Sequence, residues 1–112
     1  MSLDFYLETP RCDACGRLGD TLFTRNITHN VNVMWMEAGC YEALYGRDGS
    51  KKAGEIIVVL QRALADMEAR PAVYEAMNPE NGWGSYDGAL DYLRDVLAHC
   101  ILRPDALIKV CR

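Results

Sequence analysis

Hydrophobic and polar positions alternate one by one at the start of the chain. In LDFYLE, Leu3, Phe5 and Leu7 alternate with Asp4, Tyr6 and Glu8, the period of two expected of a strand with one buried face. TLFTRNI repeats the alternation, with Leu22 opposite in sense to Phe23, and ALIKVCR gives a third strand after the turn signal Arg103-Pro104-Asp105. TPRCDACGRLGD, rich in turn formers, predicts an elaborated hairpin between the first two strands.

The period lengthens through the middle of the chain. Ile27, Val31, Met34, Ala38, Tyr41 and Tyr45 step by three and four, predicting a first helix that stops at Gly46. A second helix has Ser50 as its expected N-cap, a stripe of Ala53, Ile56, Ile57, Leu60, Leu64 and Met67, and Pro71 to end it. A third, capped by Ser85 or Asp87, carries Tyr86, Leu90, Leu93, Leu97 and Cys100 and ends before Pro104. AVYEAM supplies a short helical turn between them. The order β-β-α-α-α-β predicts one α+β domain over residues 1–112. Its small antiparallel sheet is drawn from both chain ends and covered on one face by three main helices.

Composition adds limits. Half of the 112 residues are hydrophobic and a quarter charged, with four prolines and nine glycines, as in a globular domain. A chain of this length buries roughly two-thirds of the surface its unfolded form exposes, so its core needs no metal and no cofactor is expected. The net charge of −4, with cations scattered, lacks the electrostatic footprint of a protein held on duplex nucleic acid. MSLDFYLETP has no cationic lead or apolar core of signal-peptide length, and no apolar run nears the roughly 18 residues of a membrane span. The expectation is a cytoplasmic protein in a bacterial host cell whose five cysteines are reduced thiols.

Four stretches carry candidate chemistry. In RCDACG, Cys12 and Cys15 have the C-x-x-C spacing of half a structural zinc site. His29, Cys40, His99, Cys100 and Cys111 offer no second pair at ligand spacing, so reduced cysteines are the plainer reading. TRNITHN sets Asn26, His29 and Asn30 about the expected start of the first helix, with Asn26 or Thr28 as N-cap. His29 also opens a second stripe, His29, Val33, Met36 and Cys40, on a flank of that helix, which points to close packing, a partner subunit or a pocket lining. A hydrogen-bonded structural histidine is the plain reading of His29. The sharper one makes it a general acid or base.

NPENGWGSYDG is the second constellation. Asn81-Gly82 permits a positive φ and Gly84 clears space beside Trp83, which either plugs the core or walls a pocket. With Asn26, His29, Asn30, Asn81, Gly82, Trp83, Gly84 and Tyr86 brought together, such a loop suits a planar polar ligand such as a nucleobase. A weaker spot is GRDGSKK, where Arg47, Ser50, Lys51 and Lys52 surround a helix start that could hold an anion. It lacks P-loop spacing, and a solvated charged turn is the simpler alternative.

NITHN, EAGCYEALY, NPENGWGSYDGAL and RPDALIKVCR together resemble a set of small bacteriophage- and prophage-encoded proteins carrying NITHN and NPENGWG-type motifs, over nearly the whole chain. The C-x-x-C is present in only some of that set. The resemblance implies a phage or bacterial cytoplasmic protein with distinctive positions at Asn26, His29, Asn30, Asn81, Gly82, Trp83 and Gly84. Three functions are carried forward. The first is a binding module that interferes with a host or defence process, gripping a host or phage protein or a nucleotide-like ligand, and assembly as a homodimer belongs with it. The second is a small enzyme on a polar substrate with His29 as general acid or base, and the third a structural phage protein with a zinc-stabilised hairpin.

Overall fold

The structure is a computed structural model that describes residues 2–10 and 19–112. Three strands, β1 (Ser2–Glu8), β2 (Thr21–Thr28) and β3 (Leu107–Cys111), form an antiparallel sheet in the order β2-β1-β3. Five helices, α1 (Asn32–Ala38), α2 (Tyr41–Leu44), α3 (Ile57–Ala69), α4 (Pro71–Glu75) and α5 (Tyr86–Leu102), lie between β2 and β3 in the chain. The architecture is the α+β arrangement expected, with the central strand supplied by the first residues of the chain.

The register places each side chain. Leu3 pairs with Ile27, Phe5 with Arg25 and Val110, and Leu7 with Phe23 and Ile108. Directly opposed residues of a pleated sheet share a face, so this face turns toward the helices. Leu3, Phe5 and Leu7 are fully buried there, in one hydrophobic core with Trp35, Leu60, Leu93 and Val96. The other face carries Ser2, Asp4, Tyr6 and Glu8 beside Thr24, Asn26 and Lys109. At the base of the β1–β2 connection, the Thr9 amide donates to the Asp20 carbonyl at 2.9 Å and the Asp20 amide to Thr9 Oγ1 at 2.7 Å.

Several helix boundaries differ from the periodic reading. The first helix does not begin at Ile27, because β2 continues to Thr28 and Ile27 is held opposite Leu3. A 3-10 turn, His29–Val31, then leads into α1. Thr28 caps that turn, its Oγ1 accepting from the Asn30 amide at 3.2 Å, whereas Asn26 lies in mid-strand. Gly39, at φ +83°, breaks the expected single helix into α1 and α2. Of the flanking stripe, Val33 and Met36 are exposed but Cys40 is fully buried, because the break turns it inward.

The second expected helix opens as a 3-10 turn over Ala53–Ile56 before α3. Ser50 is not its cap. The Ser50 amide and hydroxyl are both bonded to the Asp48 carboxylate, at 2.9 and 3.0 Å. Glu55 instead reaches back, with Oε2 accepting from the Lys51 and Lys52 amides at 2.6 and 2.7 Å. Along α3, Leu60, Ala63 and Met67 are buried and Leu64 only partly so. Ser85 caps α5, accepting from the Gly88 amide, and the whole expected stripe from Tyr86 to Cys100 is buried.

Two backbone N–H bonds, Lys52 first and Lys51 second, hold the Glu55 carboxyl below its ordinary range. A depressed folded value means that the carboxylate stabilises the fold above the unfolded pKa and ceases to as pH falls through the folded one. Glu55→Gln is therefore expected to lower the urea midpoint at neutral pH, with the gap to wild type closing once the pH drops below the carboxylate range. An equal gap at both pH values in urea titrations would rule out the charged cap.

Candidate functional site

The corner where β2 passes into the His29–Val31 turn meets the loop before α5. Gly84 makes that meeting close. Its φ is +103°, and a Cβ there would lie 2.8 Å from Thr28 Cγ2 and 3.0 Å from Val31 Cγ1. Only glycine meets both demands, the left-handed φ and the missing side chain. Gly82, at φ +74°, needs the freedom alone, since a Cβ there would meet nothing within 4 Å.

The loop is tied down on either side of Trp83. The Trp83 amide donates to Asn81 Oδ1 at 2.9 Å, and Asn30 Nδ2 donates to the Trp83 carbonyl at 3.1 Å. The indole itself is 73% exposed, so it is a wall and not a core plug. With Ser2, Asn26, Thr28, His29 and Asn30 it lines an open groove of about 400 Å³. A second cavity, about 360 Å³, shares Asn26 and Thr28 with the groove and extends along β2 to Arg25, the loop glycines, the start of α5 and Tyr92.

His29 is held from behind. Its Nδ1 lies 2.6 Å from the Tyr45 hydroxyl, which in turn donates to Asn32 Oδ1 in a short hydrogen bond. Burial pushes the Tyr45 phenol up to about 12, so it stays protonated across the physiological range. Asn26, across from Asp4 on the outward face, donates through Nδ2 to Asp4 Oδ1 at 2.8 Å and to Ser2 Oγ at 2.9 Å. A phenol and an amide orient the imidazole, but they supply no charge to stabilise an imidazolium, which a general base gains from a carboxylate behind it.

The structure thus gathers Asn26, His29, Asn30 and Trp83 around one groove, with Gly82 and Gly84 lining the neighbouring cavity. Asn81 acts on the loop backbone. Tyr86 is not a groove residue: it is buried, its hydroxyl donates to the Met67 carbonyl at 2.6 Å, and its amide is taken by Asn78. At the Arg47, Ser50, Lys51 and Lys52 cluster, the amides that an anion would use at Lys51 and Lys52 are already bonded to Glu55. Cys12 and Cys15 lie outside the described residues. Among the described residues no three His, Cys, Asp or Glu side chains gather as metal ligands, and no helix is long and apolar enough to cross a membrane.

One arrangement escapes the sequence reading. Arg25 faces the helices and bonds Asp95 at 2.8 Å and Asp91 at 3.1 Å, with its guanidinium 5.9 Å from the Tyr92 ring centroid. The Asp95 and Asp91 bonds lift its already high pKa further. His99, stacked on Phe23 with ring centroids 4.0 Å apart, extends the seam through Asp95. The spacing Asp91, Asp95, His99 on one helical face was the available signal.

Compared with known protein families, curated proteins and solved structures, the chain matches none. The class defined here is an α+β protein with a polar groove at a strand-to-helix corner.

Gly84→Ala is expected to destabilise the fold by about 2–4 kcal/mol through combined overlap and strain, against about 1 kcal/mol for Gly82→Ala. Urea unfolding of the two variants measures the difference, and equal losses would exclude the close approach at Thr28.

Proposed function

We propose that the protein is a small binding module that holds a planar, polar, nucleotide-like ligand between the His29 turn and the Trp83 loop. The observation that carries this reading is a large exposed aromatic on a fixed backbone. Trp83 is anchored through its own amide and carbonyl, yet its ring stands 73% in solvent beside three polar side chains, Asn26, His29 and Asn30. Exposing an indole contributes little to stability, whereas a ring so placed offers a stacking face and the neighbouring amides and imidazole an edge to hydrogen-bond. The phenol behind His29 favours this reading over an enzyme with His29 as general base. A protein partner, from host or phage, or a second copy of the chain would instead meet the exposed Val33 and Met36 on α1.

Native mass spectrometry of protein taken directly from bacterial cells tests the reading. The expected spectrum shows a retained mass of nucleotide size. Trp83→Ala and His29→Ala should each weaken its binding, the loss of stacking alone by roughly 5- to 150-fold. Bare protein from cells that also fails to bind added nucleosides would reject the module, and added protein mass would redirect the search to α1.

A further inference from the structure

We infer that Asn81 is a site of spontaneous covalent modification, at which the Gly82 amide displaces the side-chain nitrogen as ammonia and water completes the change to an aspartyl or isoaspartyl residue. The chain has five asparagines, and four of them are followed by Ile27, Val31, Val33 and Pro79. A β-branched residue crowds its own amide, and a proline nitrogen has no proton to lose. Only Asn81 precedes a glycine, whose amide no side chain shields.

The structure presents the two reacting groups to each other. Asn81 Oδ1 accepts from the Trp83 amide at 2.9 Å. A bond to the second residue along folds the side chain forward over the Gly82 peptide, so Cγ is carried toward the nitrogen that attacks it. The same Trp83 N–H already donates to the oxygen on which negative charge develops. Asn81 and Gly82 are both exposed, so hydroxide reaches the Gly82 proton. The Pro79 carbonyl otherwise holds that proton across a 3.2 Å bond, at the long end for an amide donor. Gly82 has nothing within 4 Å of where a Cβ would lie, which leaves the forming ring unhindered.

The step balances without a cofactor. Hydroxide removes the Gly82 proton, the nitrogen bonds Asn81 Cγ, and the Cγ–Nδ2 bond breaks, with Nδ2 leaving as ammonia after taking a proton from water. Water then opens the cyclic imide. Opening at Cγ yields an aspartyl residue, and opening at the original main-chain carbonyl yields the isoaspartyl one, in which the main chain runs through Cβ and Cγ. An aspartate still accepts from the Trp83 amide, in a charge-assisted bond. The isoaspartyl form lengthens the main chain by a methylene and gives up that bond, in a loop whose next contact, Gly84 against Thr28 Cγ2, has no slack. Asp48-Gly49 repeats the turn, with the Ser50 amide on Asp48 Oδ1 and Gly49 at φ +84°. A carboxylate is a far weaker electrophile, however, and its rearrangement leaves the mass unchanged.

The whole protein held folded at mildly alkaline pH, beside a sample unfolded in guanidinium chloride, provides the test. Mass spectrometry follows the gain of mass, peptide mapping places it, and fragmentation separates the two products. The expected result is conversion at Asn81 ahead of every other asparagine, at least as fast in the folded protein as in the unfolded chain, and slowed at least about tenfold by Gly82→Ala. The isoaspartyl fraction is expected to unfold at a lower urea concentration than the parent, and Asn81→Asp close to it. Slower conversion in the folded protein than in the unfolded chain overturns the inference, because the turn then shields Asn81. Conversion that Gly82→Ala does not slow, or that begins at another asparagine, overturns it as well. An isoaspartyl fraction as stable as the parent overturns the loss of the loop contact. No ligand enters the experiment, so each of these outcomes is separate from success or failure of the binding module.

Discussion

The contact of the Gly84 backbone with the Thr28 corner sets the positions of everything around the groove. Trp83 precedes this contact by one residue, and Ser85, the cap of the longest helix, follows it by one. A single close approach thereby determines where the indole stands, where α5 begins and how the His29 turn is backed. The hydrogen bonds from Asn30 and to Asn81 then only have to hold a loop that packing has already placed. Polar side chains on such a corner lose little further freedom on meeting a ligand, which is the advantage of a preorganised site.

The parts legible in the sequence were those where one local rule dominates. Leu3, Phe5 and Leu7 announce a half-buried strand because β1 is central and one of its faces is apolar throughout. The stripe of α5 is equally plain, since all its members fall on the buried face. Ile27 misleads because its spacing to Val31 and Met34 fits a helix, while its spacing to Phe23 and Arg25 fits a strand. Pairing with Leu3 decides between them, and pairing is a property of distant chain. Ser50 is a good cap by type, but Asp48, two residues before it, competes for both its amide and its hydroxyl. Tyr86 belongs with the loop in sequence and with Met67 in space.

Arg25 shows the opposite failure, a residue that breaks a pattern and so goes unread. A cation on the inward face of β2 contradicts the alternation around it, and its partners are 66 and 70 residues away. Its side chain remains about one-third exposed, and such pairs contribute on the order of 0–1 kcal/mol each. Their value lies in direction. A fork of donors meeting two carboxylates one helical turn apart fixes the axial position of α5 against β2, where apolar side chains alone would permit sliding. His99 stacked on Phe23 marks the same register at the next turn.

The sheet joins the two ends of the chain, with Asp4 paired to Cys111 and Glu8 to Leu107. The central strand thus takes one neighbour from the next strand in sequence and the other from beyond all five helices. Closing so long a loop before the pairing can reward it slows the search for the native state. Until β3 arrives, one edge of β1 is open, and the Ile108 amide cannot reach the Lys51 carbonyl that ties the strand to the segment before α3. β3 is consequently the strand whose pairing depends on the greatest length of intervening chain, and a molecule with β3 detached keeps every groove residue while the strand beneath them is half paired.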